Sequence, residues 1–191
     1  SYAEMGEWSL PVEARREFTH LLHEAVEQGK PEARWMRGGF WRSFQINYRE
    51  INDLHKQMLR VSRKVDALRN GPVSGADEER ETAPLAAEQL ARIADHLYQG
   101  QSNDCYWHGL FGGIYISHMR LATYEHLIAA EDAADMMLRS ARIAEVIDLD
   151  LDGRDEVRLA DLGQVVTVKP SEGAGIGGWG IRAARHGLAA A

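Results

Sequence analysis

A chain of 191 residues with 45% hydrophobic residues holds enough apolar side chain for one good core plus a small appendage. Its formal net charge of -7 comes without a basic stripe, which excludes nucleic-acid binding by clustered Lys and Arg, and its apolar runs are far short of the roughly 18 residues of a membrane span. A single cysteine, Cys105, excludes an internal disulfide and suits a reducing cytoplasm, the expected location.

In chain order, Ser9, Pro11 and Glu13 predict a helix start, and Phe18, Leu21, Leu22, Ala25 and Val26 form one apolar stripe that stops at Gly29. After the loop WMRGGFW, the three-and-four spacing of Ile51, Leu54, Met58, Val61, Val65 and Leu68 predicts the strongest helix of the chain. Residues 70–82, NGPVSGADEERET, carry turn residues and charge without periodicity and read as an exposed loop. Pro84 then starts a helix through Leu85, Leu90, Ile93 and Leu97 that ends near Gly100. A longer helix is expected from about residue 114 to residue 143, with Leu121, Leu127, Ile128 and Met136 among its apolar positions. From Val146 the alternation of VIDLDLDGRDEVRLA predicts a hairpin about Asp152 and Gly153, and QVVTVKP adds a third strand ended by Pro170. The fold class is therefore mainly α: a three- to four-helix bundle over residues 1–145, then, over 146–191, a few antiparallel β-strands that open a truncated β-sandwich. Three strands leave unpaired edges, so this tail is expected to pack on the bundle or stay mobile.

The stretch QSNDCYWHGL, followed by FGGIYISHMR, interrupts this helical text. Asn103, Asp104, Tyr106, Trp107 and His108 place an amide, an acid, an imidazole and aromatic faces between glycines. That mixture suits a sugar: the C–H face of a pyranose lies on an indole, and its hydroxyls need carboxylates and amides to replace water. The competing structural reading makes Tyr106, Trp107 and Phe111 core aromatics and Asp104 a helix cap. Three other patterns fail their templates. Asp148, Asp150, Asp152 and Gly153 open like a calcium loop but reach Leu159 where a glutamate is required. GAGIGG satisfies GxGxxG with too little chain after it for a nucleotide fold. His20, His23 and Glu24 lack the HExxH order and read as a solvated helix face. No metal and no cofactor are expected.

The segment NDCYWHGLFGGIYISHMR resembles the NDAYWHGLFGG-type segment of glycoside hydrolase family 57, in its 4-alpha-glucanotransferase and alpha-amylase branch. SYAEMGEWSLP, residues 1–11, resembles the stretch that leaves the catalytic barrel in that family, and GGFWRSFQINYREINDLHKQMLRVS, residues 38–62, resembles its GGFWRNF…LHKRML.VS stretch. Departures are Arg49 for a usual proline and Ser102 for a frequent cysteine; the glycine-rich tail follows the pattern loosely. The resemblance implies the central helical domain plus the start of the C-terminal β domain, with both ends reading as cuts in a longer protein. It further implies a retaining α-1,4-glucan-processing enzyme, transferase or amylase, whose glutamate nucleophile and aspartate acid/base lie on an N-terminal barrel, so that no catalytic residue is expected here. The positions that match substrate-contacting residues are Trp8, Asp104 and Trp107, with Asn103 and His108 as further candidates; Trp8 also reads as a packed staple beside Pro11, and Trp41 as core. The implied partners are an α-1,4-glucan or maltooligosaccharide and the barrel of the same protein, with no nucleic acid and no membrane. A non-catalytic helical module, binding glucan or another protein, is the alternative.

Overall fold

The computed structural model describes residues 3–70, 79–107, 112–140 and 142–189, in two compact units, Ser1–Asn52 and Asp53–Ala191. Five helices precede a five-stranded antiparallel sheet, as the mainly helical expectation requires.

In the first unit, a 3-10 helix (Ala3–Ser9) leads into α1 (Val12–Glu27). Glu13 in the first turn of α1 favours the positive end of the helix dipole. Its end is made by Gly29, at φ 63°, with the Gly29 and Lys30 N–H groups donating to Val26 O and Ala25 O at 3.0 and 2.9 Å. The predicted stripe is only partly buried: Ala25 is covered, while Leu21 and Val26 are exposed. A second 3-10 helix (Pro31–Trp35) and α2 (Trp41–Asn47) follow. Trp41 stacks on Phe44 with ring centroids 5.8 Å apart, which makes it a packing residue. The glycine pair before α2 has a steric reason. A Cβ on Gly38 would lie 2.6 Å from Glu7 Cα, and one on Gly39 1.9 Å from Ser9 Oγ, so only glycine lets this loop lie against the turn that carries Trp8.

Helix α3 (Arg49–Asn70) begins in the first unit and continues in the second. Ile51, Leu54, Val61 and Val65 of its predicted stripe are fully covered. In the second unit α4 (Glu79–Gly100) packs on α5 (Ser117–Met137). Two expectations about these helices need correction. α4 starts at Glu79, five residues ahead of the expected start at Pro84. The remaining predicted-loop residues 71–78 lie outside the described ones. α5 ends at Met137 and Ile143 already begins a strand; Leu121 and Met136, expected on the apolar stripe, are exposed. α5 buries Ala130, Ala134, Glu131 and Asp135 instead.

The sheet has the order β1 (Ile143–Ile147), β2 (Glu156–Ala160), β3 (Gln164–Lys169), β4 (Gly175–Ile181) and β5 (His186–Gly187). The first strand thus starts three residues before Val146. β1 and β2 pair from Ile147↔Glu156 outward, as the hairpin reading expects, and β3 ends at Lys169, just before Pro170. β4 was not legible as a strand: GIGGWGI has few of the branched side chains that mark one. Its glycines allow close approach, since a Cβ on Gly177 would meet Lys169 Cε at 2.7 Å and one on Gly180 would meet Ile128 Cδ1 at 3.3 Å. GAGIGG therefore feeds an antiparallel strand with a bulge opposite Thr167 and Val168, not the strand-to-helix turn of a nucleotide site. Among the described residues no helix is long and apolar enough to cross a membrane.

Of the two outcomes expected for the tail, packing on the helices is the one found. Glu131 and Asp135 on α5, both almost fully buried, receive Arg60 and Lys64 from α3, Arg158 from β2 and Arg182 from the end of β4. Arg158 Nη2 lies 2.8 Å from Glu131 and Arg182 Nη2 2.7 Å from Asp135. Burial alone would push the Glu131 carboxyl pKa up, but Arg60, Lys64 and Arg158 outweigh it and hold the group well below the usual carboxylate range.

Candidate functional site

Helix α4 stops at Gly100, where a Cβ would meet Leu127 Cδ2 at 2.6 Å, and the chain turns into a 3-10 helix (Asn103–Tyr106) that carries four of the singled-out residues. Burial along this turn sorts them, with the first two residues exposed and the next two covered. Cys105 and Tyr106 point inward: both are buried, Tyr106 Oη donates to Gly100 O at 2.5 Å, and the ring stands edge-on to His55. Burial, followed by Cys105 and Tyr124, pushes the Tyr106 phenol pKa far up. Tyr106 is a core residue. Asn103 and Asp104 are exposed, and Trp107 is half-buried.

The indole of Trp107 is braced rather than loose. Its Nε1–H donates to Asn103 Oδ1 at 2.7 Å, within one turn of chain. On the backbone side, Ile114 N–H donates to Trp107 O at 3.1 Å. That second bond needs Gly113, which sits at φ 47° and whose added Cβ would lie 2.1 Å from Trp107 O. Gly112, at φ 101°, is packed equally close to Ile116. Gly113 is thus the backbone clamp of the tryptophan. Asn103, grouped by sequence with the sugar-contacting residues, spends its carbonyl oxygen on positioning Trp107. Asp104 does not cap a helix; among the described residues its carboxylate has no hydrogen-bond partner, which leaves it open to hydroxyl donors. His108 and Phe111 lie outside the described residues.

Trp8 belongs to the first unit. It is half-buried on the 3-10 helix Ala3–Ser9, and its carbonyl oxygen accepts from Asn47 Nδ2 and Tyr48 Oη, each at 3.4 Å. Ser9 Oγ donates to Gly6 O at 2.7 Å and tightens the same turn. His20, His23 and Glu24 are exposed on α1, a solvated face as expected.

Sequence reasoning weighed Asp148 and Asp150 as part of a failed calcium pattern and missed Glu156 beside them. The loop between β1 and β2 brings Asp148, Asp150 and the buried Glu156 together, with ligand-type oxygens within 4.8 Å of one another. These oxygens already have work. Asp148 accepts from the N–H groups of Asp152 and Gly153, Glu156 from Leu149 N–H at 2.7 Å, and Asp150 from Lys169 Nζ at 2.8 Å. Lys169 also bridges to Asp53 of α3 at 3.1 Å. Burial raises the Glu156 pKa, against the opposing backbone bond from Leu149; burial raises that of Asp53 as well, against Lys169. The group reads as a loop-closing device with its charge offset by one lysine. A cavity of about 100 Å³ lies beside it, lined by Asp53, Gln57, Lys169 and Gly177 among others, and none of its lining comes from the Asn103–Tyr106 turn or from Trp107.

Comparison with known proteins identifies the family of this chain. The profile of the family described as "Alpha-amylase/4-alpha-glucanotransferase, middle domain" matches residues 39–134, which include the Asn103–Trp107 turn and its glycines. Alpha-amylase 1 of Dictyoglomus thermophilum is 37% identical over 189 residues, covering 95% of this chain and 24% of that protein. The 4-alpha-glucanotransferase of Thermococcus litoralis is 35% identical over 178 residues, covering 92% of this chain and 23% of that protein. The crystal structure of 4-alpha-glucanotransferase from Thermococcus litoralis superposes with a TM-score of 0.76 at 30% identity, over 99% of this chain and 26% of that one. The chain thus spans about a quarter of the length of the relatives it matches. With half of its residues inside the family profile, the chain belongs to the alpha-amylase/4-alpha-glucanotransferase middle-domain family, within glycoside hydrolase family 57.

Proposed function

We propose that this chain supplies substrate-binding residues to a retaining enzyme that processes α-1,4-glucans, by transfer or by hydrolysis. Trp107 and Trp8 stack on glucose rings, Asp104 accepts hydrogen bonds from ring hydroxyls, Asn103 holds the Trp107 indole in place, and His108 completes the set. The observation that carries this reading is the exposed, open Asp104 carboxylate three residues from a tryptophan whose indole N–H and backbone carbonyl are both held: a flat apolar face beside an acceptor is what a pyranose needs. A retaining mechanism requires two carboxyl groups about 5–5.5 Å apart, one becoming a glycosyl-enzyme and the other cycling as acid and base. Both are proposed to lie on a barrel outside this chain. Residues 146–191 are then the first part of a β-sandwich, a division supported by the apolar outer face of the sheet, where Val146, Leu159 and Ile176 are exposed.

Two measurements test the proposal. The 191-residue chain alone is expected to show no turnover of maltooligosaccharides; activity that disappears with Asp104→Asn would place the chemistry in this chain and refute the division of labour. In the full-length parent, Asp104→Asn and Trp107→Ala are each expected to lower glucan turnover by roughly tenfold or more, with the melting temperature nearly unchanged. A large drop in melting temperature with normal activity per folded molecule would make these residues packing elements and favour a non-catalytic module.

A further inference from the structure

The helices on either side of the Asn103–Trp107 turn meet at two histidines. His96 lies on α4 one turn before Gly100, and His126 on α5 precedes Leu127, the residue that fills the space beside Gly100. Their Nδ1 atoms are 2.9 Å apart and the ring centroids 5.2 Å, with the planes at 37°. Both rings are half-buried, so one edge of the pair is open to water. Two identical nitrogens at this distance need something between them: two lone pairs repel, and so do two N–H groups. A single shared proton satisfies the pair, and so does a metal ion.

The spacing is that of a shared-proton hydrogen bond, and it also fits some metals better than others. Bonds of about 2.0–2.1 Å from a metal to two imidazole nitrogens at a right angle put those nitrogens about 2.9 Å apart, whereas a tetrahedral angle opens them to about 3.4 Å. A right-angle pair is the geometry of square-planar or octahedral sites, which with nitrogen donors means Cu2+ or Ni2+ more than Zn2+, and neither Mg2+ nor Ca2+. We propose that His96 and His126 form a two-nitrogen site for a divalent ion of the Cu2+ or Ni2+ class, which staples the end of α4 to α5 and so braces the entrance to the Trp107 turn. Water fills the remaining positions from the open edge. Binding balances without a net proton at neutral pH: the Nδ1 proton shared by the neutral pair is given up to solvent while that ring takes one at Nε2, and both Nδ1 lone pairs turn to the ion.

The surrounding charge is mixed. Asp95 and Glu125 flank the pair in sequence and favour a cation, while Arg185 from the turn before β5 opposes one; burial, then His126 and Arg185, lowers the His96 pKa. The ring is therefore available as a neutral ligand at physiological pH. The site is independent of the glucan reading.

The test uses the 191-residue chain with CuCl2 or NiCl2 alone. Calorimetry is expected to give one strong site per chain, with a raised melting temperature that EDTA reverses, and at least a tenfold loss of affinity in both His96→Gln and His126→Gln. The His20→Gln/His23→Gln variant is expected to bind as the parent does. Unchanged affinity in His126→Gln, or its loss in the α1 variant, would overturn the assignment. If the α4 and α5 variants fail to fold, paramagnetic broadening of wild-type amide signals by Cu2+ decides without them: it is expected around residues 96 and 126, and broadening centred on 148–156 or on α1 would overturn the assignment equally.

Discussion

Glu131→Gln is the most informative stability test, because one carboxylate answers three cations. Glu131 is 3% exposed and lies 3.1, 2.8 and 2.8 Å from Arg60, Lys64 and Arg158. The neutral amide leaves these donors unequally placed. Arg60 is partly exposed and recovers water, Lys64 keeps Asp135 at 2.5 Å, and Arg158, wholly buried, keeps only Glu145 at 3.2 Å. One buried cation is therefore left half-compensated, which places the loss near the low end of the about 3–5 kcal/mol of a broken buried pair. For a chain of this size, that is a fall in melting temperature of about 6–12 °C. The pH dependence has a definite sign. A depressed folded pKa means that the contribution is present above the unfolded value, near 4.5, and is lost only as pH falls through the lower folded value. Urea denaturation at pH 8, 7 and 5.5 should then give the same deficit at each pH. A deficit below about 1 kcal/mol would mean the network is solvated and refute the argument. A companion Glu131→Leu/Arg158→Met variant should recover most of the loss, since it removes the charges together.

Three further outcomes follow from other parts of the chain. Glu156→Gln should change stability little at pH 7, because an amide oxygen can still accept from Leu149 N–H. The raised Glu156 pKa means that the wild type gains on the variant as pH falls from 7 toward 5; a relative gain by the variant in urea titrations over that range would contradict the sign. Gly113→Ala should disturb the Trp107 turn, read as a shift in tryptophan emission and a loss of about 2 kcal/mol or more, since strain at positive φ adds to contact with Trp107 O. Gly29→Ala, at φ 63° but facing open space, should cost only about 1 kcal/mol and leave the emission unchanged; equal effects of the two would show that backbone strain alone acts at both.

Legibility along the chain follows physical cause. The stripe of Ile51, Leu54, Val61 and Val65 was readable because one helix face is covered along its length. The polar-aromatic cluster stood out because it breaks the helical periodicity around it, yet the division of roles inside it was not readable, and Tyr106 proves to be core. Asn103 and Asp104 have similar chemistry on paper, and only the turn decides that Asn103 braces Trp107 while Asp104 faces outward. Pairings across distant segments left no local mark at all. Lys169 meets Asp53 across 116 positions of sequence, and His96 meets His126 from a separate helix.

The sheet carries the same point furthest, because alternation marks a strand without saying which face is the inner one. In β2, Val157 and Leu159 share one side, and Glu156 and Arg158 the other. Hydropathy alone would turn Leu159 inward. The reverse occurs: Glu156 and Arg158 are each 1% exposed, while Leu159 is 45% exposed. The reason lies on α5, whose inward face offers Glu131 and Asp135, so the layer that covers it must bring cations; Arg158 and Arg182 supply them and Gly180 makes room beside Ile128. Once that side is charged, pleating sends Val157 and Leu159 to the other, and the register lines up Val146 with Val157, Leu159 with Val166, and Val166 with Trp179. A continuous apolar sheet face in water is a standing invitation to a second layer. The alternation read in residues 146–168 thus serves two contacts at once, an ionic one to the helices and an apolar one that supports the proposed sandwich, and the carboxylates of α5 determine which is which.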